Sequence, residues 1–185
     1  PIPAPGPGQV LIQVAYAGIN RPDVLQRMSL YMPPQDASPL LGLEVSGRIA
    51  VLGDGVQGLR IGDMVTALVH GGGYAEYCIA EAGQVLSVPT GMNLATAAAL
   101  PETWFTVWSN LIHRGHLAAG ERLLVHGGAS GIGLTAIQLA KHLGVECMVT
   151  VGDDAKAAFC RQFGASAAIN YRKVDFAEEV KDGLK

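Results

Sequence analysis

Short apolar runs separated by glycine turns fill the first half of the chain. The runs lie between residues 10 and 89 and read VLIQVAYAG, VSGRIAVLG, DMVTALV, AEYCIA and VLSVP. Short alternating runs that are bounded by turn residues are typical of half-buried β-strands. The pattern therefore predicts an all-β, barrel-like region with one short helix at residues 21–28.

The hydrophobic pattern changes near residue 95. ATAAALPETWFTVWSNLIHRG has helical spacing, and after it strands alternate with helices in the order RLLVHG, GIGLTAIQLAKHLG, VECMVTV, DAKAAFCRQFG, SAAINY and a further helix in DFAEEVKDGLK. Such alternation predicts βαβ units with a parallel sheet. A doubly wound nucleotide fold normally has about six strands. The three present here indicate the first half of such a domain.

Composition narrows the class of protein without identifying it. The 185 residues carry a net charge of −3 without charge blocks, so nothing favours nucleic acid or a membrane surface as a partner. The three cysteines show no close pairing, which favours a cytoplasmic protein, and no signal peptide or membrane span is recognisable. The chain opens without methionine on PIPAPGPGQVLIQV, and we expect a fragment that lacks both termini.

The segment HGGASGIG, residues 126–133, lies between a predicted strand and a predicted helix. Its first glycines permit a tight turn, and the later ones permit close approach of a ligand and of the helix to the strand. Free amides at the helix start attract a pyrophosphate. This context favours a nucleotide site over a glycine-rich turn that binds nothing. The predicted cofactor-binding residues of this loop are Gly128, Ala129, Ser130, Gly131, Ile132 and Gly133.

The identity of the nucleotide depends on residues beyond the second strand. Asp153 lies where an acid would bind a ribose 2′-hydroxyl and repel a 2′-phosphate, which favours NAD. Lys156 and Tyr171, in contrast, could both bind a 2′-phosphate. Asp153 also has a structural interpretation as a helix N-cap, and Lys156 as a solvated charge. The residues alone leave both nucleotides open.

Several segments together resemble one family, the zinc-independent quinone oxidoreductases of the medium-chain dehydrogenase/reductase superfamily. GERLLVHGGASGIGLTAIQLAK resembles its signature, AGINRPDVLQRMSLY its active-site segment, and LGLEVSGRIAVLG, IGDMVTAL, GGGYAEY and SVP its barrel turns. Ser130 replaces a common glycine, as in the tumour-suppressor-inducible subgroup. The resemblance implies an α/β protein with a β-rich part: a GroES-like barrel catalytic domain, residues 1–97, followed by a truncated Rossmann domain, residues 98–185.

The resemblance also implies the cofactor and its binding residues. NAD(P)H would bind in the cleft between the two domains. Most members use NADPH through a lysine and a tyrosine that match Lys156 and Tyr171. Asp153 replaces their usual serine or threonine, so NADH is a second candidate.

Other matching positions are implied to surround the reaction. Asn20 and Thr106 match residues near the nicotinamide, whereas Tyr31 and Ser130 match the substrate side; Asp23 matches an acid that we interpret as structural. Without the family match, Asn20 also fits an Asx-turn or N-cap, Tyr31 an exposed loop aromatic and Thr106 a packed helical threonine. We expect Asn20, Tyr31 and Ser130 to act as hydrogen-bond donors to the reacting carbonyl.

Zinc is not expected. Zinc alcohol dehydrogenases of the same superfamily place a cysteine and a histidine where this chain has Asn20 and Leu43. Leucine cannot bind zinc, and an amide is a poor substitute for a thiolate. The five histidines form no ligand cluster in the sequence.

The implied activity is the NAD(P)H-dependent reduction of a small-molecule quinone or α,β-unsaturated carbonyl by a protein that is a homodimer at full length. Two alternatives remain. An enoyl reductase domain of a polyketide or fatty acid synthase resembles the same segments, and crystallin relatives of the family bind nucleotide without catalysis.

Overall fold

Two β-sheets of different type organise the chain. The computed structural model describes residues 2–35 and 37–182. The chain divides into two units between Glu102 and Thr103, and each unit has its own sheet and hydrophobic core.

The first unit contains a five-stranded sheet in which every pairing is antiparallel. Its strands are β1 (Gln9–Ala17), β2 (Glu44–Leu52), β3 (Met64–Leu68), β4 (Tyr77–Glu81) and β5 (Val85–Ser87), in the spatial order β4-β1-β2-β3-β5. Helix α1 (Arg21–Arg27) follows β1, and α2 (Leu94–Ala97) follows β5. The core consists of one face of these strands and includes Val10, Ile12, Val45, Ile49 and Val65.

Two buried hydroxyl groups tie α2 to this sheet. Ser46 Oγ donates to the Leu94 carbonyl at 2.6 Å, and Thr66 Oγ1 lies 2.7 Å from the Ala97 carbonyl. Both side chains are almost completely buried, so these bonds satisfy polar groups that would otherwise destabilise the core.

The second unit contains a three-stranded parallel sheet in the order β6-β7-β8. Its strands are β6 (Arg122–His126), β7 (Glu146–Val151) and β8 (Ala167–Asn170), which alternate with the helices α4 (Gly131–Leu143), α5 (Asp154–Phe163) and α6 (Phe176–Asp182). Gly144 ends α4 with a φ of 70°, as the sequence predicts. The core includes Ile137, Ala140, Val149, Val151 and Cys160.

The helical stretch predicted from residue 95 is not continuous. It breaks after α2, restarts as α3 (Pro101–Trp108) and continues as a π-helical segment, Ser109–Arg114. Proline has no N–H to donate and its fixed φ suits the first turn of a helix, so Pro101 begins a new helix rather than extending α2. His113, in the π-helical segment, accepts a hydrogen bond from Trp108 Nε1 at 3.0 Å.

Candidate functional site

The glycine loop between β6 and α4 can be formed only by glycine at two of its positions. A Cβ on Gly128 would lie 2.5 Å from Val149 Cβ, and one on Gly133 would lie 2.4 Å from the Gly128 carbonyl oxygen. Both glycines are buried, whereas Ser130, Gly131 and Ile132 are exposed at the start of α4. The loop therefore packs tightly on the sheet and presents the first amides of a 13-residue helix to solvent.

Ser130 is the N-cap of α4. Its Oγ accepts a hydrogen bond from the Gly133 amide at 3.0 Å, and its own amide donates to the Gly127 carbonyl at 2.9 Å. A serine hydroxyl that accepts one bond keeps its proton for a second partner. The serine thus has a structural role that the sequence analysis did not assign, and its predicted role as a donor to substrate stays a prediction.

Asp153 and Lys156 form a local ion pair at the start of α5. Asp153 Oδ1 accepts from the Lys156 amide at 2.8 Å, and Oδ2 lies 3.0 Å from Lys156 Nζ. These hydrogen bonds hold the pKa of the Asp153 carboxyl below its usual range, with a further contribution from the charge of Arg172. The N-cap interpretation of Asp153 describes this geometry, and Lys156 is paired rather than simply solvated.

A tyrosine and an arginine lie next to this ion pair. A Cβ on Gly152 would lie 3.0 Å from the Tyr171 hydroxyl oxygen and 3.8 Å from Arg172 Nε. The hydroxyl of Tyr171 therefore lies beside the end of β7, close to where Asp153 and Lys156 follow. Arg172 was not singled out from the sequence, although its position directly after Tyr171 was the available signal.

A buried hydrogen-bond network surrounds Asn20 in the first unit. The Asn20 amide group donates from Nδ2 to Glu44 Oε1 at 2.7 Å, and its backbone N–H donates to Asp23 Oδ2 at 2.9 Å. Asp23 also accepts from the Gly42 N–H and the Tyr74 hydroxyl, each at 3.0 Å. Asp23 is 3% exposed, and these bonds give it the structural role expected.

Glu44 is the buried carboxyl group that sequence reasoning missed. It is 2% exposed, and its Oε2 accepts from the Glu102 backbone N–H at 3.0 Å while Oε1 accepts from Asn20. Burial raises the Glu44 pKa, although both hydrogen bonds oppose the shift. A single acid in the apolar run LEVSG was the available sequence signal, because an acid is rarely buried without partners.

A cavity of about 240 Å³ opens beside this network within the first unit. Tyr31, His70 and Glu102 contribute titratable side chains to its lining, and Leu43 and Leu68 contribute apolar ones. Tyr31 is 42% exposed. Thr106, in the second unit, is exposed on α3, and its carbonyl accepts from Asn110 Nδ2 at 2.8 Å.

The described residues offer no metal centre and no thiolate. Across residues 2–35 and 37–182, no three histidine, cysteine, aspartate or glutamate side chains are grouped as metal ligands would be. The three cysteines are buried and unpaired, and burial raises the pKa of Cys78 to about 12 and that of Cys147 to about 11. Independence from zinc remains a prediction that rests on Asn20 and Leu43. In the same part of the chain, no helix has the length and apolar character needed to cross a membrane.

Family models match both units of the chain. The alcohol dehydrogenase GroES-like domain matches residues 6–90, and the zinc-binding dehydrogenase model matches residues 131–184. Human quinone oxidoreductase is 34% identical over 185 residues, which covers 97% of this chain and 55% of that protein. The phenolphthiocerol/phthiocerol polyketide synthase of Mycobacterium tuberculosis includes a polypeptide that is 33% identical over 172 residues, 93% of this chain and 8% of that polypeptide.

Solved structures agree with these relatives. Escherichia coli quinone oxidoreductase complexed with NADPH has a TM-score of 0.86 at 32% identity, over 98% of this chain and 56% of that one. The CurK enoyl reductase has a TM-score of 0.85 at 31% identity, over 98% and 57%. The chain thus spans about half the length of the quinone oxidoreductases that it matches. The predicted GroES-like and Rossmann parts are confirmed, and the chain belongs to the quinone oxidoreductase-like family of the medium-chain dehydrogenase/reductase superfamily.

Proposed function

We propose that the protein is a zinc-independent oxidoreductase that uses NAD(P)H to reduce quinones or α,β-unsaturated carbonyls by hydride transfer. The observation that carries this proposal is the glycine loop at residues 127–133. Its tight packing leaves exposed helix amides where a pyrophosphate would bind. The Escherichia coli relative, complexed with NADPH, supports the same choice of cofactor.

The residues of the second unit fit a dinucleotide. The loop from Gly128 to Gly133 would hold the pyrophosphate, because side chains at its two buried glycines would displace the backbone. Lys156 and Tyr171 would bind a 2′-phosphate, and Arg172 adds a third donor beside them. The bound nicotinamide would supply a hydride, while the protein supplies orientation and hydrogen-bond donors.

The substrate is proposed to meet donors from both parts of the chain. Tyr31 lines the cavity of the first unit and carries a hydroxyl group. Asn20 uses an amide N–H for Glu44 and has a second N–H that a carbonyl oxygen could accept. The Ser130 hydroxyl and the exposed Thr106 complete the set that the family resemblance implies, with Thr106 assigned to the nicotinamide.

The test of this function is steady-state oxidation of NADPH by the complete natural protein with a panel of quinones and enones. We expect Tyr31→Phe and Asn20→Ala to lower kcat about 10-fold or more, because each removes a donor to the developing oxyanion. Ser130→Gly should lower kcat less, and glycine at an N-cap costs α4 only about a few tenths of a kcal/mol. Unfolding free energies are measured in parallel, since Asn20 also supports Glu44. Full activity in all three variants would contradict the assignment.

Asp153 is proposed to weaken the preference for NADPH. Its carboxylate occupies the Lys156 ammonium group that a 2′-phosphate would otherwise attract. Serine also caps helices, so Asp153→Ser removes the charge and keeps the start of α5. We expect this change to raise the NADPH to NADH ratio of kcat/KM by about 10-fold, equivalent to about 1.4 kcal/mol.

The matched control for this experiment is Asp154→Ser. The Asp154 carboxylate pairs with Lys173 and accepts from Asn170 Nδ2, so its removal leaves the Asp153–Lys156 pair intact. The coenzyme ratio of this control should change far less. An unchanged ratio in the Asp153 variant would show that the carboxylate does not set coenzyme choice.

An enoyl reductase is the second candidate function. It is favoured by the likeness to the CurK enoyl reductase and to the mycobacterial polyketide synthase. An acyl-thioester with a conjugated double bond, added to the acceptor panel, separates the two activities by their kcat/KM. Binding of NADPH without oxidation by any acceptor would instead support the non-catalytic alternative.

A further inference from the structure

Glu102 connects the buried carboxyl network of the first unit to its cavity. Its side chain lines the 240 Å³ cavity that also contains Tyr31 and His70. Its backbone N–H donates to Glu44 Oε2 at 3.0 Å, which fixes the start of α3 against β2. Glu102 therefore lies on the same cavity wall as the tyrosine that the proposed function assigns to substrate.

Hydride transfer to a carbonyl-conjugated acceptor needs a proton as well. A general acid must be within reach of the substrate and must hold its proton near the working pH. Among the described residues that line this cavity, only Tyr31, His70 and Glu102 titrate, and lysine and arginine are absent from that lining. The proton donor is to be sought among these three side chains.

We propose that the Glu102 carboxyl is the general acid that protonates the reduced substrate, an inference that rests on the proposed function. The cofactor supplies two electrons as a hydride to the acceptor, whose oxygen becomes negative. The Glu102 O–H bond breaks, and its proton bonds to that oxygen. The carboxylate that remains takes a proton from water, so the net reaction consumes one NAD(P)H, one acceptor and one proton.

The surroundings of Glu102 favour its protonated form. Burial raises its pKa most, and the nearby charges of Glu44 on β2 and Asp23 on α1 raise it further. Tyr31 and His70 face the same cavity. A raised pKa means that Glu102 keeps its proton to higher pH than an ordinary glutamate, and that the acid is lost as pH rises through that pKa.

The experiment compares Glu102→Gln, His70→Gln and Glu76→Gln in the complete natural protein. Glu76 is an exposed carboxyl outside the lining of this cavity, so its variant is a matched control. The wild-type kcat should fall as pH rises through the Glu102 pKa. Glu102→Gln should lower kcat by about 10²-fold and abolish this pH dependence, while the Kd for NADPH stays unchanged. Both control profiles should remain like the wild type.

A second measurement does not depend on turnover. Infrared difference spectra recorded during a pH titration of the cofactor-free protein should show a protonated carboxyl above the ordinary glutamate range, part of which disappears in Glu102→Gln. Retention of kcat and pH profile by Glu102→Gln, or loss of the profile in His70→Gln instead, would overturn the inference alone. A wild-type protein that oxidises NAD(P)H with no acceptor would overturn the proposed function as well.

Discussion

Alanine at position 133 is expected to lower the affinity for NADPH by about 10-fold or more. The new Cβ would lie 2.4 Å from the Gly128 carbonyl oxygen and 2.6 Å from that of Gly127. Both atoms belong to the backbone, so no side-chain rotation relieves the contact, and the start of α4 must move away from the loop. Overpacking of this kind costs about 1–3 kcal/mol of folding free energy. Fluorescence titration with NADPH measures the affinity, and urea denaturation measures the stability.

Two other alanine variants calibrate this result. A Cβ on Gly83 meets no atom within 4 Å, so Gly83→Ala should leave both measurements unchanged. A Cβ on Gly131 would lie 3.1 Å from the Thr103 side-chain methyl group, which can yield, so Gly131→Ala should affect stability less than the change at position 133. Wild-type affinity in a folded Gly133→Ala protein would argue against a pyrophosphate at this loop.

Alanine at position 23 is expected to destabilise the first unit by about 2–4 kcal/mol. Asp23 is almost fully buried and accepts hydrogen bonds from the Asn20 N–H, the Gly42 N–H and the Tyr74 hydroxyl. Its removal leaves three donors without their acceptor, and each unsatisfied buried donor costs about 1–3 kcal/mol, reduced where water reaches it. Urea denaturation measures the loss. The exposed Asp54 provides the control, because Asp54→Ala should change stability by no more than about 0.5 kcal/mol.

Tyr74 offers an independent readout of the same substitution. Burial, together with the hydrogen bond and charge of Asp23, raises the pKa of Tyr74 to about 12. Asp23→Asn removes the charge with little change of shape, so the Tyr74 pKa should fall while more stability is kept than in Asp23→Ala. Spectrophotometric titration of the five tyrosines resolves this shift. A Tyr74 pKa that is unchanged in both variants would contradict the assigned hydrogen bond.

Local patterns in the sequence predicted most of the fold. Alternating apolar runs marked the strands of the antiparallel sheet, and the β6-loop-α4 segment was predicted because its glycines follow a strand and precede an amphipathic helix. The helix break at Pro101 had a local signal too, since proline favours a first helical turn. These features depend on residues that are neighbours in the chain.

Contacts between distant residues could not be predicted in this way. The bond between the Glu102 amide and the Glu44 carboxylate joins residues 58 positions apart, and the bond from Asn20 to Glu44 spans 24 positions. Neither pairing follows from spacing, because each depends on how β2 packs against α1 and the start of α3. The Asp153–Lys156 pair is different, because two residues three positions apart at a helix start are within ion-pair distance. It escapes notice only when each residue is interpreted separately.

Deuterium transfer tests the central claim most directly. The complete natural protein is incubated with NADPH that is deuterated at the nicotinamide C4 position and with an α,β-unsaturated carbonyl acceptor, and the product is analysed by mass spectrometry. Direct hydride transfer predicts one deuterium in the reduced product when the transferred position is labelled, with none from the opposite label. Tight binding of NADPH with no reduced product from any acceptor, or a product without deuterium from either label, would contradict the account.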